Sequence, residues 1–106
     1  MPETLVNRDE MLKLIREYQN IKIVFSGHWH VNDVYIENDV VFCQTSSMRE
    51  YPFEFRLVES REGTLRITTL GLNDRSFSSA SLMPEKGNAW VAGADRDREL
   101  LVPWRR

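Results

Sequence analysis

Disulfide bonds and membrane spans are excluded by what this 106-residue chain lacks. Its single cysteine, Cys43, excludes an internal disulfide, and its place in the apolar run 40–43 predicts a buried structural thiol. No apolar run is long enough to cross a bilayer, and the first residues lack a signal-peptide pattern. These absences predict a cytoplasmic protein without a membrane partner, provided that residue 1 is the native N-terminus.

An excess of charge of one sign is lacking as well. The 14 basic and 16 acidic side chains are interleaved along the sequence and leave a formal net charge of −2. This balance predicts no specific nucleic-acid surface, and the basic end at residues 104–106 is typical of a solvated terminus. The length bounds the chain at one domain with a modest hydrophobic core.

Histidine is scarce too, and both histidines lie in one motif. Residues 21–25 are a short apolar, β-rich run, and Gly27-His28-Trp29-His30 follows almost at once. In an extended segment residues i and i+2 point the same way, so both imidazoles would face one cavity, with Gly27 allowing a tight turn. Imidazole is a common ligand of transition metals, so the motif indicates part of a metal site. The spacing alone also allows the interpretation that the two histidines are close together by accident and bind no metal.

The segment before this motif has the pattern of a helix. Apolar residues at helical spacing predict a helix from Arg8 to Gln19. Asn7 is the expected N-cap, with Glu10 reaching back to it in a capping box, and Asn20 would close the helix in a left-handed conformation. A helix, then a buried strand with functional residues at its carboxyl end, is typical of an α/β fold.

The segments after the motif predict mainly β-structure. Strands at 33–36 and 40–44 would form one hairpin, and a second hairpin is predicted over 53–70. Beyond residue 72 no period persists, although several large apolar residues remain. We therefore expect a domain over residues 1–72 and an irregular extension over 73–106 that docks on the same domain or on a partner chain.

The segment from Phe25 to His30, between a helix and two hairpins, resembles a motif of the calcineurin-like metallophosphoesterases. The resemblance covers roughly residues 7–70, and residues 45–47 (Thr-Ser-Ser) and 50–52 (Glu-Tyr-Pro) add support at the level of pattern. It implies an α/β fold, the C-terminal portion of a metallophosphoesterase β-sandwich. Its expected content is one N-terminal helix and about five strands, mostly antiparallel and β-rich overall.

The resemblance also implies a site. His28 would bind the second metal and His30 the first, in a binuclear centre of divalent ions such as manganese, iron or zinc. Two such ions about 3.5–4 Å apart clamp a phosphate ester, and a metal-bound hydroxide attacks its phosphorus. Ser26 and Trp29 would lie at the rim of the substrate pocket, and Gly27 would form the backbone turn at the site.

The chain also departs from the family. Members carry Asp-x-His, Gly-Asp-x-x-Asp, Gly-Asn-His and a further ligand histidine upstream of this motif, and none of these occurs in this sequence. The simplest interpretation is the C-terminal region of a phosphoesterase, as a truncated product or a fragment. Two imidazoles without carboxylates give a weak site, so we expect the isolated chain to be inactive. Exposed strand edges would then favour a homo-oligomer, most simply a two-fold dimer.

Two other interpretations stay open. One is a noncatalytic, oligomerising β-rich module whose His-x-His site is vestigial or weak. The other is a small α+β binding domain in which the two histidines are accidental. The substrate is open as well, among phosphomonoesters, phosphodiesters, cyclic nucleotides and nucleic-acid ends.

Overall fold

A computed structural model describes residues 6–72 and 88–103 of the chain. The elements, in chain order, are α1 (Arg8–Glu17), β1 (Ile23–Ser26), β2 (Asp33–Glu37), β3 (Val40–Gln44), β4 (Glu54–Arg61), β5 (Thr64–Gly71), a 3-10 helix (Asn88–Ala92), α2 (Asp95–Arg98) and β6 (Glu99–Pro103). This part of the chain is a small, strand-rich α/β domain, as the sequence predicts. No helix within it is long and apolar enough to cross a membrane.

The strands form two three-stranded sheets. Sheet A has the order β1-β3-β2, with β1 parallel and β2 antiparallel to β3. Sheet B has the order β4-β5-β6, and both of its pairings are antiparallel. The two hairpins predicted from the sequence, β2–β3 and β4–β5, are therefore confirmed.

Both hairpins close through two residues with positive φ. Asn38 and Asp39 have φ of 51° and 65°, and Glu62 and Gly63 have φ of 50° and 81°. Positive φ at both central residues is what a type I′ turn requires, and this turn matches the twist of the flanking strands. Short turns of this kind fix the register of each hairpin.

Strand β3 is the central strand of sheet A and is buried on both faces. The cluster on one face joins it to sheet B and consists of Val41, Cys43, Ile67 and Val102. The cluster on the other face joins it to α1 and consists of Leu12, Val40 and Phe42. Sheet A therefore lies between α1 and sheet B.

The cysteine in this core is inert by its position. Cys43 has no exposed surface, which confirms the predicted buried thiol. Burial raises the pKa of this thiol, because the surrounding apolar side chains disfavour the thiolate. The group therefore stays protonated near neutral pH.

The ends of α1 differ from the sequence prediction. Asn7 is the N-cap residue and its carbonyl accepts from Met11 N at 3.1 Å, but it makes no side-chain capping bond. Its backbone angles, φ −102° and ψ 31°, are not those of the extended conformation from which a side chain caps a helix. The helix ends at Tyr18 with an extended backbone, so the predicted closure at Asn20 is wrong.

Strand β1 is less buried than predicted. It spans Ile23–Ser26 rather than residues 21–25, and within the described residues it pairs only with β3. Ile23 and Val24 are half-buried, whereas Phe25 is 46% exposed. The prediction of a buried strand is therefore wrong, because an edge strand has one neighbour and its burial depends on what covers it.

The segment after residue 72 is only partly described. Residues 73–87 and 104–106 lie outside the described part, so the predicted irregular structure is not addressed there. Most of residues 88–103 are regular instead, and β6 pairs with β5 along its whole length. The prediction of an irregular extension is wrong for these residues, since strand β6 (Glu99–Pro103) completes sheet B.

Candidate functional site

Two loops meet at one edge of sheet A. Because β1 and β3 run parallel, their carboxyl ends lie together, which is where α/β sheets usually place their chemistry. We call residues 27–32, which follow β1, the His loop, and residues 45–53, which follow β3, the β3 loop. Thr45 N donates to Ser26 O at 3.0 Å, so the two loops start in contact.

Both histidines have left-handed backbone conformations. The φ angle is 78° at His28 and 59° at His30, so the His loop is bent rather than extended. The argument that alternation along a strand aims both imidazoles the same way is therefore wrong. A left-handed conformation costs a residue with a Cβ about 1–2 kcal/mol. Such residues cluster at functional sites, where the surrounding structure maintains them.

Gly27 does not form the predicted turn. It is exposed, it has no left-handed φ, and a Cβ added there would meet nothing within 4 Å. The chain changes direction at His28 and His30 instead. The expectation that Gly27 is needed for the backbone turn is therefore corrected.

His30 contacts a carboxylate that the sequence did not single out as a site residue. Its Nδ1 lies in hydrogen-bonding contact with Oε1 of Glu50, which belongs to the β3 loop. The side chains are 40% and 54% exposed, so the pair lies at the surface, within reach of a ligand. The sequence contained Glu50 only as part of the Glu50-Tyr51-Pro52 pattern, and nothing in its spacing pointed to His30.

The residues expected at the pocket rim lie beside the histidines. Ser26 is the exposed last residue of β1, and Trp29 is 39% exposed between the two histidines. A cleft of about 480 Å³ lies at the other end of β1, between the end of α1 and the β2–β3 turn, and neither residue lines it. A role for Ser26 and Trp29 at a substrate pocket stays a prediction.

The His loop ends at a buried asparagine. Asn32 is 1% exposed, and its backbone N donates to Val91 O at 2.8 Å. Its side-chain oxygen accepts from Ser46 N at 2.9 Å, and Nδ2 donates to Glu54 Oε1 and to Ala92 O, both at 3.2 Å. Asn32 thus joins the His loop to the β3 loop, to β4 and to the 3-10 helix.

A buried ion pair lies behind Asn32. Glu54 is 2% exposed, and the guanidinium of Arg98 donates to both of its carboxylate oxygens, with NH1 2.7 Å from Oε1. The hydrogen bond with Glu54 raises the pKa of Arg98, so the guanidinium stays charged. NH1 also donates to Ala92 O at 2.8 Å. The pair therefore connects α2 to β4 and supports the asparagine that ends the His loop.

A second arginine joins the two sheets. Arg56 of β4 donates through NH2 to Gln44 O at 2.7 Å and through Nε to Thr45 Oγ1 at 3.3 Å, both beside the carboxyl end of β3. Its NH1 donates to Thr69 Oγ1 and to Asp97 O, each at 2.5 Å. Burial lowers the pKa of Arg56 from its ordinary value, because the charge is partly removed from water. The start of the β3 loop is thereby fixed to sheet B.

Asp97 completes this network. It is 7% exposed and accepts from Val34 N through Oδ1 and from Ala94 N through Oδ2, each at 2.9 Å. Sequence reasoning missed Asp97 and Arg98, because charged residues in an Asp-Arg-Asp-Arg-Glu run are usually solvated. It missed Glu54 because the alternation along β4 sets this residue on the face opposite the apolar side chains.

The described residues do not by themselves fit a two-metal centre. The imidazoles suit a transition metal, but no group of three or more His, Cys, Asp or Glu side chains in residues 6–72 and 88–103 is placed to hold an ion. His30 with Glu50 has the donor chemistry of one ligand and its supporting carboxylate. The structure thus presents at most a part of such a centre.

A scan against protein-family models, a search of curated proteins and a search of solved structures each found no match for this chain. The geometry of the two loops is therefore what supports the proposals that follow.

Proposed function

We propose that this chain is the C-terminal region of a metallophosphoesterase and supplies His28 and His30 to its binuclear centre. The observation that carries the proposal is the position of His30. It lies on the loop after β1 and contacts Glu50 on the loop after the parallel strand β3. A carboxylate behind an imidazole, at the carboxyl edge of a sheet, is an arrangement that metal sites use.

The backbone of the His loop supports the same proposal. Left-handed conformations at His28 and His30 are maintained only if the surrounding structure compensates their cost. The hydrogen bonds of Asn32 provide this compensation directly after His30.

The proposal requires further ligands. When two divalent ions are bound, they supply a Lewis acid and a hydroxide nucleophile, and anionic ligands must offset their charge. Imidazole brings no negative charge, and no group of three or more His, Cys, Asp or Glu side chains among the described residues is placed to hold an ion. The remaining ligands would come from another segment of a longer protein or from another chain. We therefore propose that this chain alone lacks phosphoesterase activity.

Hydrolysis of bis(p-nitrophenyl) phosphate tests the proposed inactivity. We expect the purified chain with added manganese to show no turnover above a chelated control, because the centre lacks its anionic ligands. Metal-dependent turnover that disappears in His30→Ala would contradict this, since the missing ligands would then be present in the assembled chain.

Metal binding without turnover tests the proposed role of the histidines. Zinc titration should show weak binding that is lost in His28→Ala and in His30→Ala. Lys13→Ala, at an exposed position of α1, is the control and should bind as the original chain does. Binding that survives both histidine substitutions would overturn the proposed function. It would favour the small α+β binding domain in which the two histidines are accidental.

We further propose that the chain forms a two-fold dimer through the free edge of β1. Within the described residues β1 has one neighbour, so its other edge presents unpaired backbone groups beside the exposed ring of Phe25. Pairing this edge with a second copy is self-complementary under two-fold symmetry.

Light scattering at micromolar concentration tests this dimer. We expect the mass of two chains, and we expect Phe25→Lys to give monomers, because a charge on an edge strand opposes pairing. Leu14→Lys, at a position of α1 that is 53% exposed, is the control and should remain dimeric. A monomeric original chain would contradict the proposal.

A further inference from the structure

We propose that Glu50 is a positioning residue that fixes the tautomer of His30 and makes Nε2 its metal-binding atom. The proposal rests on the proposed function for the identity of the ligand, a divalent transition-metal ion. Its geometric basis is independent, since it is the contact between Nδ1 of His30 and Oε1 of Glu50.

The chemistry of a neutral imidazole gives this contact a definite consequence. Neutral imidazole carries one N–H, and a carboxylate can only accept a hydrogen bond. The nitrogen facing Glu50 is Nδ1, so the proton must be on Nδ1 and the lone pair must be on Nε2. A carboxylate that accepts from the distal N–H also makes the ligating nitrogen more basic and fixes the orientation of the ring.

The two loops are built to hold this pair. The His loop and the β3 loop are joined by Thr45 N to Ser26 O at 3.0 Å and by Ser46 N to Asn32 Oδ1 at 2.9 Å. The first of these bonds precedes His30 along the chain and the second follows it. Glu50 and His30 therefore lie on segments whose relative position is already fixed before a ligand binds.

The β3 loop also has local hydrogen bonds around Glu50. Phe53 N donates to Glu50 O at 2.7 Å, which closes a turn, and Arg49 N donates to Ser47 Oγ at 3.0 Å. The backbone that carries the Glu50 side chain is thus ordered, although the side chain itself is exposed. Ordering of this kind reduces the entropy lost when the carboxylate orients the imidazole.

Nitrogen-15 NMR of the histidine rings reports the tautomer directly and without metal. At about pH 8.5, where imidazole is neutral, we expect His30 to carry its proton on Nδ1. Glu50→Ala should move that proton toward Nε2, whereas Glu50→Gln should retain Nδ1–H because the amide oxygen can still accept it. Glu59→Ala, at an exposed position of β4, is the matched control and should change nothing. A proton on Nε2 in the original chain, or no change in Glu50→Ala, would overturn the proposal.

Zinc titration separates this proposal from the proposed function. Glu50→Ala should weaken zinc binding about 10–100-fold, and Glu50→Gln should recover part of the loss. If the tautomer is as expected but no histidine-dependent zinc binding occurs, the proposed function fails and the orienting role of Glu50 stands. If zinc binds through His30 and Glu50→Ala changes neither tautomer nor affinity, the positioning role fails and the proposed function stands.

Discussion

Replacing Arg98 with alanine should lower the free energy of unfolding by about 3 kcal/mol, because it removes the guanidinium that balances the buried charge of Glu54. Glu54 is 2% exposed, and both of its oxygens accept from the Arg98 guanidinium. Removing one member of a buried pair costs about 3–5 kcal/mol in general. We take the lower value because the Arg98 side chain is 29% exposed, so water can replace part of its interaction.

A second arginine pair provides the matched control. Arg66 lies 2.9 Å from Glu99, with side chains 57% and 60% exposed, and exposed pairs contribute about 0–1 kcal/mol. Urea denaturation of Arg98→Ala and Arg66→Ala should therefore give clearly different midpoints. Equal midpoints would show that the buried pair contributes no more than the exposed one. If Arg98→Ala does not fold, Glu54→Gln removes the buried charge with less disturbance. Its urea midpoint should lie below that of Arg66→Ala, and its loss of stability should be smaller than the loss expected for Arg98→Ala.

Replacing Gly93 with alanine should destabilise the protein by about 2–5 kcal/mol, as the sum of backbone strain and overpacking. Gly93 has φ of 80°, and a Cβ there would lie 2.5 Å from Asn32 O and 2.8 Å from Asp97 Cβ. The first of these atoms belongs to the backbone, so relief requires a shift of the His loop at its buried end. We therefore also expect Gly93→Ala to weaken the contact between His30 and Glu50.

Gly27 provides the control for Gly93. It has open space around its Cβ position and no left-handed φ, so Gly27→Ala should change stability by less than about 0.5 kcal/mol. Thermal denaturation of both variants, with the histidine NMR spectrum as a second measurement, tests the pair. Equal melting temperatures for the two variants would show that a Cβ at residue 93 is tolerated despite the close approach of Gly93 to Asn32.

Local patterns were sufficient to predict the two hairpins. Alternation along residues 53–70 and the turn residues between the strands are properties of neighbouring positions, and β4 and β5 form where the sequence predicts them. The apolar run from Val40 to Cys43 also predicted burial, and in the structure these residues of β3 are buried. Local patterns predict these hairpins correctly because each strand pairs with the strand next to it in the sequence.

The features that the sequence did not predict depend on distant partners. The exposure of β1 follows from its edge position, and β6 becomes a strand because β5 offers it an edge. The burial of Arg98 follows from Glu54, 44 positions away, and the same charged run would be solvated without it. The bend at the two histidines likewise depends on where Asn32 is bound. No local period encodes these contacts.

The connections of α2 and β6 also bear on when the protein can fold. Asp97 accepts from a residue 63 positions earlier, and β6 is the last described strand to leave the ribosome. Contacts of this separation require the closure of long loops, which slows folding. While residues 95–103 are still inside the exit tunnel, β5 lacks its neighbour β6 and Glu54 lacks the guanidinium of Arg98. Sheet B therefore cannot be completed before this strand emerges, and the nascent chain would be most prone to aggregate in the interval before it does.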